Sequence, residues 1–244
     1  MNRIYKIALY GDSLSCPRKG IVRSDKRYLA QLENFIRKKR NYEFIEIRDR
    51  ARGGVLISQL WDEYEEDNTY YDLPGNVLIL HSGIVDCAPR PIAPEQRNRL
   101  SRLPAFIRKP IINYIHKNRA KLLRKNGGGF VNTTNEKYKE VMERFLKSGC
   151  ENYEYVFVIT ICPTNSETAS RSPGLPVNIS LYNTIIKETV QAMNKKNLFL
   201  VDVNGMICAN ETAIDDFIVK ADGHHIHEKT HTWIAEQIVN TIHE

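Results

Sequence analysis

Apolar residues recur along this chain in two alternating rhythms. Short, nearly unbroken runs fall at Ile4 to Tyr10, at Phe44, Ile45 and Ile47, at Asn76 to His81 (Asn-Val-Leu-Ile-Leu-His), at Tyr155 to Thr160 (Tyr-Val-Phe-Val-Ile-Thr) and at Leu198 to Val201. Runs that are apolar on consecutive positions predict five strands buried on both faces, as in a parallel sheet. Between them the spacing lengthens. Leu29, Leu32, Phe35 and Ile36 share one face of a helix predicted over 28–39, and further helices are predicted over 57–66, over 180–195 and from about Lys229, the last carrying Trp233, Ile234, Ile238 and Ile242. Strands alternating with helices predict an α/β fold, a three-layer α/β/α arrangement around a five-stranded parallel sheet with right-handed crossovers.

One interval breaks the alternation. Between the third and fourth predicted strands lie the Gly127-Gly128-Gly129 break, a helix predicted over 135–147 and, from Arg90 to Lys125, eleven basic residues against Glu95 alone. That stretch carries +10 of a chain whose formal charge is +6, so the remainder is acidic by four. The expected organisation is a single domain over 1–244 with a basic helical insertion at about 91–147. Pro104 and Pro110 predict two or three short helices, with Tyr114 to Arg124 the most regular, and Leu103, Phe106, Ile107, Ile111, Ile112 and Ile115 supply an apolar side. Two readings stay open: a lid or docking surface beside the strand edge, or a packed elaboration with a solvated basic face.

At 244 residues, 42% hydrophobic and 26% charged, the chain can bury one substantial core without disulfides or metal. Its cysteines, Cys16, Cys87, Cys150, Cys162 and Cys208, are odd in number and nowhere form C-x-x-C, which argues against a disulfide framework and a thiolate metal site. The expected location is the cytoplasm, since Met1-Asn2-Arg3 runs directly into the first apolar run and no stretch is long and apolar enough to cross a membrane. Phe106 and Ile107 beside Arg108 and Lys109 would let the basic segment lean on an anionic inner membrane face. Nucleic acid is not an expected partner: Tyr114 alone interleaves the core of the basic run, and no recognition helix or stacking platform accompanies it.

The chemistry is concentrated at the two ends of the chain. Gly11-Asp12-Ser13-Leu14-Ser15 follows the first apolar run, so a tight turn at the C-terminal edge of the sheet would present the Ser13 hydroxyl. Asp222-Gly223-His224-His225 places a carboxylate three residues before an imidazole, close enough for Asp222 to accept the Nδ1 hydrogen of His225 and turn Nε2 toward Ser13. Asp12 is expected to fix its own turn by accepting backbone N–H bonds. His227 and His231, four apart, raise the question of a metal, but no H-E-x-x-H or comparable acidic spacing accompanies them, and neither metal nor cofactor is expected.

Two further blocks, Ala51-Arg52-Gly53-Gly54 after the second predicted strand and Gly83-Ile84-Val85-Asp86 after the third, complete a pattern that resembles the GDSL or SGNH hydrolase family over nearly the whole chain. The resemblance implies the flavodoxin-like fold of those enzymes, with Ser13, Asp222 and His225 as catalytic triad. It also implies an oxyanion hole of the Ser13 and Gly54 backbone N–H groups with an Asn side chain in the third block. This chain has Val85 at that last position, and losing one such donor typically costs on the order of 2.7–4 kcal/mol. Asn165, His81 and Arg90 are the expected substitutes. The same three residues and Asp86 are the expected substrate contacts, with Arg90 either clamping a substrate anion or pairing with Asp86. The implied function is a serine ester hydrolase releasing a small acyl group, foremost an O-acetyl group from a carbohydrate that is itself acidic or phosphorylated. An acyl transferase with the same triad and a catalytically weak binding protein on the hydrolase scaffold are the alternatives.

Overall fold

The computed structural model describes residues 4–39, 44–71, 75–210 and 214–243; Met1, Asn2 and Arg3, which bear on the expected absence of a leader, lie outside the described residues. Strands β1 (Ile4–Gly11), β2 (Phe44–Asp49), β3 (Gly75–His81), β4 (Tyr153–Ile159) and β5 (Leu198–Val201) pair in the order β2-β1-β3-β4-β5, every pair parallel. Val77 to Leu80 and Val156 to Ile159 are all but fully buried, which explains why these strands read as continuous rather than alternating apolar runs.

The helices follow as α1 (Tyr28–Lys39), α2 (Ile57–Tyr70), α3 (Ile84–Cys87), α4 (Pro94–Ser101), α5 (Ala105–Lys117), α6 (Arg119–Lys125), α7 (Asn135–Asn152), α8 (Ser166–Arg171), α9 (Leu175–Met193), α10 (Val203–Cys208), α11 (Ile214–Phe217) and α12 (Glu228–His243). Helices α1 and α12 pack together on one face of the sheet, while α2, α7 and α9 cover the other. The α7 stripe of Tyr138, Val141, Met142, Phe145 and Leu146 is buried, and Thr134 caps the helix by accepting from the Lys137 N–H. Chain connections leave β1 and β3 toward opposite edges of the sheet. Their neighbouring C-terminal ends therefore form the crevice in which open α/β sheets place ligands.

The predicted elements are all present, with corrections in the basic segment. Helix α7 runs straight into β4 and belongs to the sheet packing, so the elaboration ends before it. Pro104 does bound a helix, at the N-cap of α5, but Pro110 lies inside that helix without breaking it. A proline there forfeits the bond to the carbonyl of Phe106, an exposed residue whose carbonyl water can serve. The break comes instead at Asn118, between α5 and α6 and within the stretch expected to be most regular. Leu103, Phe106, Ile107 and Ile111 face outward rather than forming a covered apolar side, and Arg108 is half-buried and donates to the Ser101 carbonyl at 3.0 Å.

His231 is fully buried on α12. Its Nδ1 accepts from the Tyr28 N–H at 3.4 Å, and the Tyr28 ring lies between it and His81 at the end of β3, with ring centroids 5.5 and 6.0 Å away. Burial pushes both imidazoles down to about 3. An unfolded chain protonates its histidines below about pH 6.5, and the folded one resists until about 3, so this neutral pair costs stability as pH falls between those values. We expect the stability of the wild type relative to His231→Asn, read by urea unfolding, to shrink by roughly 1–2 kcal/mol between about pH 7 and pH 5. A difference independent of pH would contradict it.

Candidate active site

Strand β1 ends in Gly11, where a Cβ would stand 2.3 Å from Ser15 Oγ, so the chain can fold back tightly there. Asp12 then makes the turn. Its N–H donates to the His81 carbonyl at 2.9 Å, and its fully buried carboxylate accepts from Leu14 N–H (2.9 Å), Gly83 N–H (2.9 Å) and Ile84 N–H (3.1 Å). The turn-fixing role read from the sequence thus extends to a clamp joining the ends of β1 and β3. Burial drives the Asp12 pKa up to about 7; the Leu14, Gly83 and Ile84 N–H groups pull against that and the nearby Asp86 reinforces it. Ser13 follows at the head of a short 3-10 turn (Ser13–Ser15), half-buried and open to a cavity.

The other end of the chain arrives opposite. His225 Nε2 lies 3.0 Å from Ser13 Oγ, and His225 Nδ1 lies 3.1 Å from Asp222 Oδ2. Asp222 Oδ1 accepts from the backbone N–H groups of His225 (3.1 Å) and His224 (3.3 Å). Although burial acts to raise its pKa, the His225 ring and those N–H groups hold the Asp222 carboxyl well below the usual carboxylate range, so it stays ionised. The tautomer with its proton on Nδ1 matches this arrangement, facing Asp222 with Nδ1 and turning Nε2 to accept from Ser13.

The loop bearing this pair is mounted on α8. Asn165 N–H donates to the Gly223 carbonyl (3.0 Å), Thr168 Oγ1 donates to the Asp222 carbonyl (2.9 Å), and Asn165 Oδ1 caps α8 through the Thr168 N–H (3.0 Å). Gly223 adopts φ +69°, and a Cβ on it would fall 2.2 Å from Asn165 Oδ1 and 2.3 Å from Thr168 Oγ1. Arg18 is a participant that no sequence motif marks. Its Nη2 donates to Asp222 Oδ2 at 3.0 Å and lies against the His225 ring, 2.9 Å from Nε2 and in close contact with Nδ1. The Asp222 carboxylate therefore serves both the Arg18 guanidinium and the His225 ring.

Ser13, Asp222 and His224 open onto a cavity of about 610 Å³, walled also by Val85, Ala88, Arg90, Lys117, Arg119 and Arg171. Of the four residues expected to touch substrate, Arg90 alone lines it. His81 is fully buried beneath Tyr28; Asp86 is fully buried and spends its carboxylate on the Ile57 N–H (3.2 Å) and the Thr133 hydroxyl; Asn165 is committed to α8. None of these three lines the cavity, and Arg90 does not pair with Asp86. Val85 stands in the wall with an apolar side chain, its carbonyl accepting from Asn132 Nδ2 at 2.7 Å. Gly54, at φ +80°, is exposed on the loop after β2, which the Arg52 N–H ties to the Gly11 carbonyl at 3.1 Å, and it is not part of the cavity wall.

Among the described residues, a metal site can be drawn only from the same groups. Ligand atoms of Asp222, His224 and His225 lie within 4.8 Å of one another, but both ring nitrogens of His225 are engaged, one with Asp222 and one with Ser13. His227 and His231 do not form a pair, because His231 points into the core. The loop mount can be tested directly. Gly223→Ala forces a left-handed residue and a steric conflict, and we expect it to cost about 1–3 kcal/mol of unfolding free energy. An unchanged unfolding midpoint would show that α8 does not constrain the loop.

No protein-family model and no curated protein matches the sequence. Solved structures do match in fold. A lipase/acylhydrolase from Enterococcus faecalis superposes with a TM-score of 0.65 at 17% identity, covering 98% of this chain and 95% of that one. The acetylxylan esterase Axe2 from Geobacillus stearothermophilus gives 0.60 at 14% identity over 97% and 93% of the two chains. A member of the lipolytic G-D-S-L family from Veillonella parvula gives 0.55 at 12% identity over 98% and 97%. The five-stranded parallel sheet, the helices on both its faces and these full-length superpositions give the chain the SGNH hydrolase fold.

Proposed function

We propose that this protein is a serine ester hydrolase that removes a small acyl group, foremost an acetyl group from a carbohydrate hydroxyl. The observation that carries the reading is the continuous line of contacts from Ser13 Oγ through His225 to Asp222, at 3.0 and 3.1 Å, opening on a cavity of about 610 Å³. In the first half of the reaction Ser13 Oγ attacks the acyl carbonyl carbon as its proton passes to His225 Nε2. The carbonyl π electrons move onto oxygen, and the imidazolium is stabilised by Asp222. Collapse of the tetrahedral species expels the alcohol, which takes the proton from His225, and leaves an acyl group on Ser13. Water, deprotonated by His225, repeats the sequence and releases the acid. A sugar hydroxyl in place of that water would make the same chemistry an acyl transfer.

Developing negative charge is assigned first to the Ser13 N–H; Gly54, the second donor that the resemblance implies, sits outside the cavity wall on a loop tied to Gly11, and Arg90 is one of several side-chain donors that line the cavity. Acetylated carbohydrate is favoured by the polar, arginine-rich mouth and by the acetylxylan esterases that share the fold. Two outcomes follow for turnover of a chromogenic acetyl ester. Ser13→Ala lowers kcat by roughly 10³-fold or more without unfolding the protein; turnover that survives in the variant would remove Ser13 from the chemistry. Val85→Asn, which restores an amide where the resemblance expects one, raises kcat by roughly tenfold, and a lower rate would mean the charge is held elsewhere.

A further inference from the structure

Beyond the cavity at Ser13 lies a second one of about 540 Å³, and the two share Arg90, His116 and Arg119 as a common wall. Arg97 and Arg108 complete its basic lining, with Ile92, Leu100, Ile112 and Ile115 between them. Among the described residues, none of these four arginines has a carboxylate within ion-pair distance. Arg119 donates to the Pro89 carbonyl and to Ser172 Oγ, Arg97 to Asn132 Oδ1 and Arg108 to the Ser101 carbonyl, all neutral acceptors. The Nε atoms of Arg90 and Arg97 are buried with no partner.

The backbone holds this arrangement in place. Arg90 and Phe130 exchange both backbone hydrogen bonds, at 2.6 and 2.9 Å, and Gly129 lets the strands close, since a Cβ there would lie 2.7 Å from the Arg90 carbonyl oxygen. Burial, and then the charge of Arg97, pushes the Arg90 pKa down; burial, and then Arg90, does the same to Arg119. Three half-buried guanidiniums that repel one another and lack any counter-charge are an unfavourable arrangement in the free protein. A bound dianion with several acceptor oxygens would relieve it.

We propose that Arg90, Arg97 and Arg119 form a subsite for a phosphoryl group, carried on the alcohol portion of the ester whose acyl carbon reaches Ser13. A phosphate monoester brings a charge of roughly −1.5 to −2 near neutral pH, against −1 for a carboxylate, and so matches three cations better. This rests on the hydrolase reading for the ester, but the anion site stands on its own geometry.

Binding is therefore measured on the Ser13→Ala protein, where no turnover intervenes. Calorimetric titration with inorganic phosphate at low ionic strength should show binding that Arg97→Gln weakens by roughly tenfold or more and Lys109→Gln, an exposed cation outside the pocket, by less than about twofold. Acetate should bind at least about tenfold more weakly than phosphate. Equal losses in the two variants would reduce the site to diffuse attraction, and absence of binding, or acetate binding as well as phosphate, would overturn the proposal. In the wild type, kcat/KM for an O-acetylated hexose phosphate should exceed that for the unphosphorylated ester by roughly 10- to 100-fold, with Arg97→Gln collapsing the ratio. A ratio near unity beside intact phosphate binding would detach the subsite from the substrate. Failure of both esters to turn over would instead count against the hydrolase reading.

Discussion

The fully buried carboxylate of Asp12 holds the site together. Three backbone N–H groups from two different loops converge on it, so the turn after β1 and the turn after β3 cannot move independently. A carboxylate is well suited to this task because its two oxygens accept several bonds at once, whereas an amide or hydroxyl at the same place would leave a donor of its own to satisfy. The cost is desolvation, visible in a pKa driven up to about 7. Everything that faces the cavity from the N-terminal half, Ser13 included, hangs on that junction.

The second half of the site is supported differently. Asp222 and His225 lie on a loop without regular secondary structure, fixed to the N-terminus of α8 by Asn165 and Thr168 and to the core through the Val219 N–H, which donates to the His225 carbonyl at 2.7 Å. Charge completes the design. Asp222 is shared between His225 and Arg18, while the cavity wall also carries Arg90, Arg119 and Arg171, the first two shared with the adjoining pocket that holds Arg97 and Arg108. The proposed anionic ester would answer that charge.

Much of this was legible in the sequence. Five apolar runs located five strands because a parallel sheet covered on both faces leaves no polar alternation, and Asp-x-x-His named its own geometry because three residues of tight turn bring both side chains to one side. What could not be read was three-dimensional commitment. His81, Asp86 and Asn165 all lie near strand ends, as active-site residues do, yet His81 is fully buried against Tyr28 and the other two spend their polar atoms on backbone. Arg18 and Arg97 gave no signal, since one is placed by a short loop bridge to Val22 and the other by Asn132, thirty-five positions away. Pro110 misled in the opposite sense, because a proline on a solvated face of a helix need not end it.

The proposed chemistry stands or falls with Ser13 as a nucleophile activated by His225. The most direct measurement is peptide mapping of the protein after reaction with a fluorophosphonate probe, which bonds covalently only to an activated hydroxyl. The account predicts a single adduct on Ser13 that disappears in His225→Ala. An unreacted protein, or an adduct on Ser15, Ser82 or another serine, would contradict it.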